Sequence, residues 1–71
     1  MQTITINTPY VTLGQMLKEA GIISTGGAAK WFLAENTVQV NGEDESRRGR
    51  KLTPGDTVTL PDGAIFTIAQ A

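Results

Sequence analysis

The sequence predicts an α+β fold in which two short helices pack on one face of a small, largely antiparallel sheet. Two observations predict this class. Two helical patterns follow one another between residues 12 and 36, and alternating apolar patterns separated by Gly- and Pro-containing turns fill most of the rest. Because each helix carries its own apolar stripe, packing both helices on one sheet face is the simplest way to bury them.

The length and composition indicate one folded domain. A chain of 71 residues has the size of a single domain with a thin core, and we expect residues 1–71 to form it. It has no cysteine, which excludes disulfides and thiolate metal sites and fits a cytoplasmic protein best. No apolar run reaches the roughly 18 residues that a membrane span requires, so we expect no membrane partner.

The N-terminal part of the chain predicts a strand and then a helix. Threonine and isoleucine alternate over residues 2–6, which is the period of a strand. Thr12 followed by Gln15 is a capping-box pattern, in which each side chain bonds a free backbone N–H of the first helical turn. Gly21 suits the position just after the helix, where the backbone turns left-handed. Between these ends, apolar residues follow helical spacing at Leu13, Met16, Leu17 and Ala20.

A second helix is predicted from a cap at Ser24 or Thr25 to about Glu35. Asn36 can end this helix by adopting a left-handed conformation. The Gly26-Gly27 pair near its start either presents backbone N–H groups to a phosphate or allows close helix packing, and we favour packing. The predicted apolar face consists of Ala29, Phe32 and Leu33.

The C-terminal half predicts short strands joined by tight turns. A strand over residues 38–40 is followed by Asn41-Gly42, a pair that tolerates the positive φ angles of a two-residue hairpin turn. The segments Pro54-Gly55-Asp56 and Pro61-Asp62-Gly63 predict two further turns. An alternating strand lies between these turns, and a last strand is predicted over residues 65–69.

Most of the positive charge lies in one segment. Four of the six basic residues, Arg47, Arg48, Arg50 and Lys51, follow closely on the acids at 43–45, although the net charge is only −1. Any electrostatic recognition must therefore come from local clustering rather than from the total charge. Arginine binds phosphate through two parallel hydrogen bonds, so this run, predicted as a loop between strands, is a candidate phosphate-binding segment. The alternative is a solvated loop that the acids partly neutralise.

Two residues of the second helix are further candidates. Lys30 lies at the border of the apolar face, where it either contacts the same ligand as the basic run or is an ordinary surface lysine. Trp31 projects away from the face that contains Ala29, so it can stack on an unpaired base. Alternatively Trp31 covers the N-terminal strand or a partner protein, and packing is favoured because so small a domain needs every large side chain.

The sequence offers little for catalysis. Without His or Cys the chain lacks the commonest general base and the thiol nucleophile. Its acids are not spaced as metal ligands, and neither Ser24 nor Ser46 has an evident base. We therefore expect a protein that is not an enzyme and that needs no metal and no cofactor.

Residues 11–60 resemble the RNA-binding domain first seen in the small-subunit ribosomal protein S-four, also called the αL motif. The closest likeness is to its small stand-alone members, the YaaA-like and YbcJ-like proteins, which share a glycine-containing helix start and a basic run after the turn. The residues that carry the resemblance are Thr25, Ala29-Lys30, Phe32-Leu33, Val38 to Gly42 and Gly55-Asp56.

This resemblance implies binding to structured RNA, ribosomal RNA above all and transfer RNA as a second possibility. Many members carry an Arg near the start of each helix and an Asp in the first, whereas those positions here hold Thr12, Gly14 and Gly26. Other cations must then replace the missing charges, and the candidates for RNA contact are Lys30, Trp31, Arg47, Arg48, Arg50 and Lys51. The alternative is an adaptor for a protein partner on the same scaffold, which the acidic pI of about 5.1 and the missing arginines favour.

Overall fold

Residues 1–71, all described by the computed structural model, form two helices and seven short strands. In chain order these are β1 (Gln2–Ile6), β2 (Val11–Thr12), α1 (Leu13–Glu19), α2 (Ala28–Glu35), β3 (Val38–Val40), β4 (Glu43–Glu45), β5 (Lys51–Leu52), β6 (Thr57–Thr59) and β7 (Ile65–Gln70). Neither helix is long and apolar enough to cross a membrane. The predicted α+β class is confirmed.

The main sheet has five strands in the order β1-β7-β6-β3-β4. Its pairs are antiparallel except β1 and β7, which run parallel side by side although they lie at opposite ends of the chain. The remaining strands, β2 and β5, form a separate antiparallel pair. This small pair joins the residues just before α1 to the end of the basic run, and so it holds the basic run beside the start of α1.

The core lies between the two helices and the main sheet. Its largest fully buried side chains come from α1, β3, β5, β6 and β7, and they are Leu13, Met16, Leu17, Val38, Val40, Leu52, Val58 and Ile68. From α2, Ala29 and Leu33 are buried, whereas Phe32 is only half-buried against the cluster. The predicted apolar face of α2 is therefore confirmed at two positions and met only in part at Phe32.

The ends of α1 follow the local prediction. The backbone N–H of Gln15 donates to Thr12 Oγ1 at 3.2 Å, and the N–H of Thr12 donates to Gln15 Oε1 at 3.0 Å, which completes the capping box. Gly21 follows the helix with a φ of +77°, a left-handed backbone conformation that costs glycine little.

The ends of α2 differ from the prediction. The helix begins only at Ala28, and Thr25 Oγ1 accepts a hydrogen bond from the Ala28 N–H at 3.3 Å. The prediction that Gly26-Gly27 allows close helix packing is wrong, because a Cβ built on either glycine meets nothing within 4 Å. The prediction that Asn36 adopts a left-handed conformation is also wrong. Its backbone is extended, and its side-chain Nδ2 and backbone N–H both donate to the Phe32 carbonyl.

Two of the predicted turns are tied to each other. Asn41 and Gly42 take φ angles of 53° and 85°, as the hairpin turn requires. Asn41 Nδ2 donates to Asp56 Oδ1 at 3.0 Å, while Asn41 Oδ1 accepts from the Thr57 N–H at 2.9 Å. Asp56 Oδ2 in turn accepts from the Thr53 N–H at 2.8 Å. These bonds hold the β3–β4 turn against the turn before β6.

Candidate nucleic-acid interface

The basic loop, residues 46–50 between β4 and β5, lies against the start of α1. The backbone N–H of Leu13 donates to the Arg50 carbonyl at 2.8 Å, and that of Gly14 donates to the Arg48 carbonyl at 2.9 Å. Two N–H groups that the first helical turn cannot pair internally are thus satisfied by the loop. The loop's position therefore follows from the fold of α1.

Glu45, the last residue of β4, anchors the other end of the loop. Its Oε2 accepts from the N–H groups of Ser46 and Arg47 at 3.1 Å each and from Arg47 Nε at 3.0 Å. Its Oε1 accepts from Arg47 Nη2 and Arg50 Nη1, both at 3.0 Å. The Glu45 side chain is 7% exposed. Glu45 thus pairs with two cations of the loop, as the alternative interpretation expects of the acids, but it does so from a buried position.

These contacts shift the pKa values of Glu45 and Arg47. Hydrogen bonds from the Arg47 side chain outweigh the opposing effect of burial and lower the pKa of Glu45 from 4.5 to about 2. The same hydrogen bonds raise the pKa of Arg47. Glu45 is thus a carboxylate, and Arg47 stays charged, over the whole physiological pH range.

The four cations of the predicted site are in different states. Arg47 and Arg50 share Glu45, although the Arg47 side chain remains 73% exposed and that of Arg50 33% exposed. Lys51 places its Nζ 4.9 Å from the centroid of the Tyr10 ring, within the range of a cation–π interaction. Arg48 is exposed, and its side chain forms no ion pair and no hydrogen bond within the chain. The loop therefore offers one unpaired guanidinium flanked by two that are held in place.

A small open cleft is lined by residues of the basic loop, of the start of α1 and of the segment before α2. Its volume is about 230 Å³, and its lining residues are Thr12, Gly14, Gln15, Gly26, Arg48 and Gly49. A Cβ on Gly14 would lie 3.3 Å from Ala29 Cβ and 3.4 Å from the Arg48 carbonyl oxygen, so this position has little room for a side chain. Packing of α1 against α2 and the loop explains Gly14, whereas nothing in the chain crowds Gly26 or Gly49.

Lys30 and Trp31 lie on the surface of α2. Trp31 is 68% exposed, so the favoured interpretation of a side chain packed within the chain is wrong. Lys30 is also exposed and forms no ion pair. No hydrogen bond or ion pair joins these two residues to the basic loop. The structure thus brings the four cations of residues 47–51 into one segment and leaves the two α2 candidates on a separate element.

A larger groove lies beside the edge strand β1. It has a volume of about 540 Å³, and its walls include Ile4, Ile6, Val11, Lys18 and Glu19. None of the predicted site residues lines it. The groove is lined by residues of both β1 and α1, and no local sequence pattern predicts how far apart these two elements lie.

Comparison with known proteins identifies the family. A family model described as S4 domain matches residues 4–69. This chain belongs to the S4 domain family. Ribosome maturation protein RlbA of Bacillus subtilis (strain 168), a provisionally named protein, is 51% identical over 65 residues, which are 92% of each chain. RNA-binding protein YbcJ of Escherichia coli (strain K12), also provisionally named, is 34% identical over 61 residues, 86% of this chain and 87% of YbcJ. The resemblance to small stand-alone S4-type proteins is confirmed.

In this S4 domain, sequence reasoning found the basic loop but missed the residue that organises it. Glu45 was grouped with its neighbours Glu43 and Asp44, both of which are exposed. The alternation of β4 gives only part of a signal. It places Glu45 opposite the buried Val38, but it also places the exposed Glu43 opposite the buried Val40, so it does not distinguish the two acids. A charged residue that is buried requires a partner, and the next residues supply two.

Proposed function

We propose that this S4 domain is a non-catalytic protein that binds structured RNA through the basic loop and α2. Ribosomal RNA is the first target, and transfer RNA is the second. The names of RlbA and YbcJ describe ribosome maturation and RNA binding, respectively, and they support RNA as the ligand class. A single functional domain and a cytoplasmic location belong to the same proposal.

The observation that carries the proposal is the state of Arg48. Arg48 is exposed, has no acidic partner and is one of the residues that line the cleft, so its guanidinium can donate two parallel hydrogen bonds to one phosphate. Gly26 and Gly49 leave room there for a backbone phosphate to approach closely. The neighbouring Arg47 and Arg50 keep part of their donors free for adjacent phosphates.

The α2 residues supply a second kind of contact. The exposed Trp31 ring can stack on an unpaired base, which is how proteins read single-stranded parts of folded RNA. Lys30, the preceding residue, adds one phosphate contact. Together with the loop, these residues suit an RNA that combines a backbone turn with an unstacked nucleotide. They bind and orient a ligand and include no general base.

The first test is binding to purified ribosomal RNA, transfer RNA and poly(U) over a salt series. Each neutralised phosphate contributes a slope of about −0.7 to −0.9 to the plot of log K against log salt. With about three or four contacts, we expect a slope of about −2 to −4 and tighter binding to the folded RNAs than to poly(U). No binding to any of the three at about 50 mM salt would contradict the proposal.

A protein-interaction adaptor is the second candidate, and one observation favours it. A tryptophan exposed to 68% on a chain of net charge −1 is also typical of a protein-binding surface. In that case Trp31→Ala leaves every RNA affinity unchanged. Under the RNA proposal the same variant weakens binding to folded RNA, so one measurement separates the two functions.

A further inference from the structure

Glu45 makes contacts that RNA binding alone does not require. A loop that serves only to attract phosphate gains nothing from a buried carboxylate that occupies two of its arginines. Yet all five hydrogen bonds to Glu45 come from residues 46, 47 and 50 of the basic loop. The position of this acid therefore needs an explanation of its own.

The basic loop is held at both of its ends, which restricts its geometry. Glu45 binds its N-terminal end, and the N–H groups of Leu13 and Gly14 bind the carbonyls nearer its C-terminal end. Arg50 takes part in both attachments, since its side chain pairs with Glu45 while its carbonyl accepts from Leu13. A loop held in this way fixes the backbone position of Arg48 beside the cleft.

The pairing of Glu45 with arginines also has an electrostatic effect. A carboxylate and a phosphate compete for the same guanidinium donors, so Arg47 and Arg50 gain less from a phosphate while Glu45 holds them. Non-specific attraction for polyanions depends on the number of phosphates that the cations can neutralise. The pairing therefore reduces that attraction, whereas an RNA that fits the loop still meets donors that are already oriented.

We propose that Glu45 is a positioning and selectivity residue of the RNA-binding surface, which orients the basic loop and weakens its attraction for polyanions that do not fit it. This inference rests on the proposed RNA-binding function and deepens it. It assigns to an acidic residue, buried beside the loop, the discrimination between a folded RNA and an arbitrary one.

The test compares the parent chain with Glu45→Gln and with Glu43→Gln as the matched control. Both variants remove one negative charge from β4, but Glu43 is exposed and forms no ion pair. Affinities for purified ribosomal RNA and for poly(U) are measured over a salt series. The decisive quantity is the ratio of the two affinities, since a long-range charge effect changes both variants alike.

In Glu45→Gln we expect tighter binding to poly(U) and a slope steeper by about 0.7 for each additional phosphate contact. One additional contact corresponds to a further loss of roughly 2.5-fold in poly(U) affinity between about 50 and 200 mM salt. Affinity for ribosomal RNA gains less, so the ratio of ribosomal RNA to poly(U) affinity falls. Glu43→Gln keeps the ratio of the parent chain.

Two further measurements separate positioning from a general loss of structure. Amide exchange should become faster at Leu13 and Gly14 in Glu45→Gln only, because their N–H groups bond the loop carbonyls. Arg47→Lys retains the charge and loses the planar fork that grips Glu45, so it should lower the affinity ratio without a change of net charge. This variant carries the test if Glu45→Gln does not fold.

Each outcome decides one part of the inference. Equal ratios in the parent, Glu43→Gln and Glu45→Gln would overturn the selectivity role even though RNA binding stands. Unchanged amide exchange at Leu13 and Gly14 would overturn the positioning role. A parent chain that binds neither RNA would overturn the proposed function and selectivity together, while the exchange measurement still decides positioning.

Discussion

Glu45 and Asp56 are two carboxylates with lowered pKa values that bind different kinds of donor. Burial alone would raise the pKa of Asp56, but hydrogen bonds from Thr53 and Asn41, with a smaller contribution from the charge of Arg50, outweigh it. Those donors are a backbone N–H, a hydroxyl and a side-chain amide, none of which is charged. Glu45 instead binds two guanidinium groups as well as backbone N–H groups.

The two carboxylates differ in whether the groups that donate to them can also bind a phosphate. The hydrogen-bond partners of Asp56 carry no charge that a polyanion could neutralise, so these hydrogen bonds stabilise the turns. The partners of Glu45 are the cations that a phosphate would need. A carboxylate that binds backbone and amide donors sets the shape of a region, whereas one that binds arginines also sets how much charge that region displays.

The largest expected effect is the acid sensitivity that Glu45 confers. Its folded pKa of about 2 lies below the ordinary value of 4.5, so its contribution to stability is fully present above about pH 5 and is lost as the pH falls towards 2. We expect a loss of about 2 kcal/mol, less than the pKa change implies, because the exposed Arg47 is screened by water. Urea unfolding of the parent chain and of Glu45→Gln from about pH 7 to about pH 2 measures it.

Glu45→Gln should show a weaker dependence on pH than the parent chain over this window. The remaining dependence comes partly from Asp56, whose lowered pKa acts in the same direction. Identical pH profiles in the two chains would mean that the arginines do not stabilise the Glu45 carboxylate in the folded state.

Asp56→Asn tests the other side of the comparison. The amide keeps one oxygen acceptor but turns an N–H₂ group towards the donors of Thr53 or Asn41, so we expect a loss of about 1 kcal/mol in the free energy of unfolding. The affinity for ribosomal RNA should not change in the folded variant. Chemical denaturation and the binding assay measure the two quantities, and a marked loss of affinity would show that both carboxylates influence binding.

Arg48→Gln should do the opposite of Asp56→Asn, since it should weaken RNA binding and leave the stability almost unchanged. Because Arg48 is exposed and unpaired, its replacement should change the free energy of unfolding by no more than about 0.5 kcal/mol. The plot of log K against log salt for RNA should become flatter by about 0.7 to 0.9. Replacement of Arg47 and Arg50 as well would leave the buried Glu45 without its cations, so the single variant is the sharper test.

The control for Arg48→Gln is Lys18→Gln, which removes one exposed cation from the last turn of α1. Lys18 lines the groove beside β1 and not the cleft at the basic loop. An equal effect of the two variants on the salt slope would mean that RNA senses the total charge of the chain and not the loop.

The smallest expected effect on stability is that of Trp31→Ala. Trp31 is 68% exposed and alanine has the highest helix propensity, so the free energy of unfolding should stay within about 0.5 kcal/mol of the parent value. Thermal unfolding measures this effect. A loss of several kcal/mol would place the Trp31 ring in the packing of the chain, and the stacking role would then be withdrawn.

Predictions that depend on neighbouring residues succeeded for the most part. The Thr12–Gln15 capping box, the left-handed Gly21 and the Asn41-Gly42 turn are all satisfied by atoms within a few residues, so the local sequence determines them. Asn36 shows the limit of such reasoning. An asparagine at a helix end can adopt a left-handed backbone conformation, or its side chain can donate a hydrogen bond back to the helix. Asn36 does the second.

Within the site, the sequence by itself determined where the positive charge is concentrated, because charge is a property of the residues. Tertiary structure decided how much of that charge is free. The arginines that pair with Glu45 stand within five residues of it, but local sequence does not show that the Glu45 side chain is buried, that Trp31 is left exposed or that β1 pairs with β7 from the other end of the chain. Burial depends on what packs against a side chain, and the residues next to it in sequence contain little of that information.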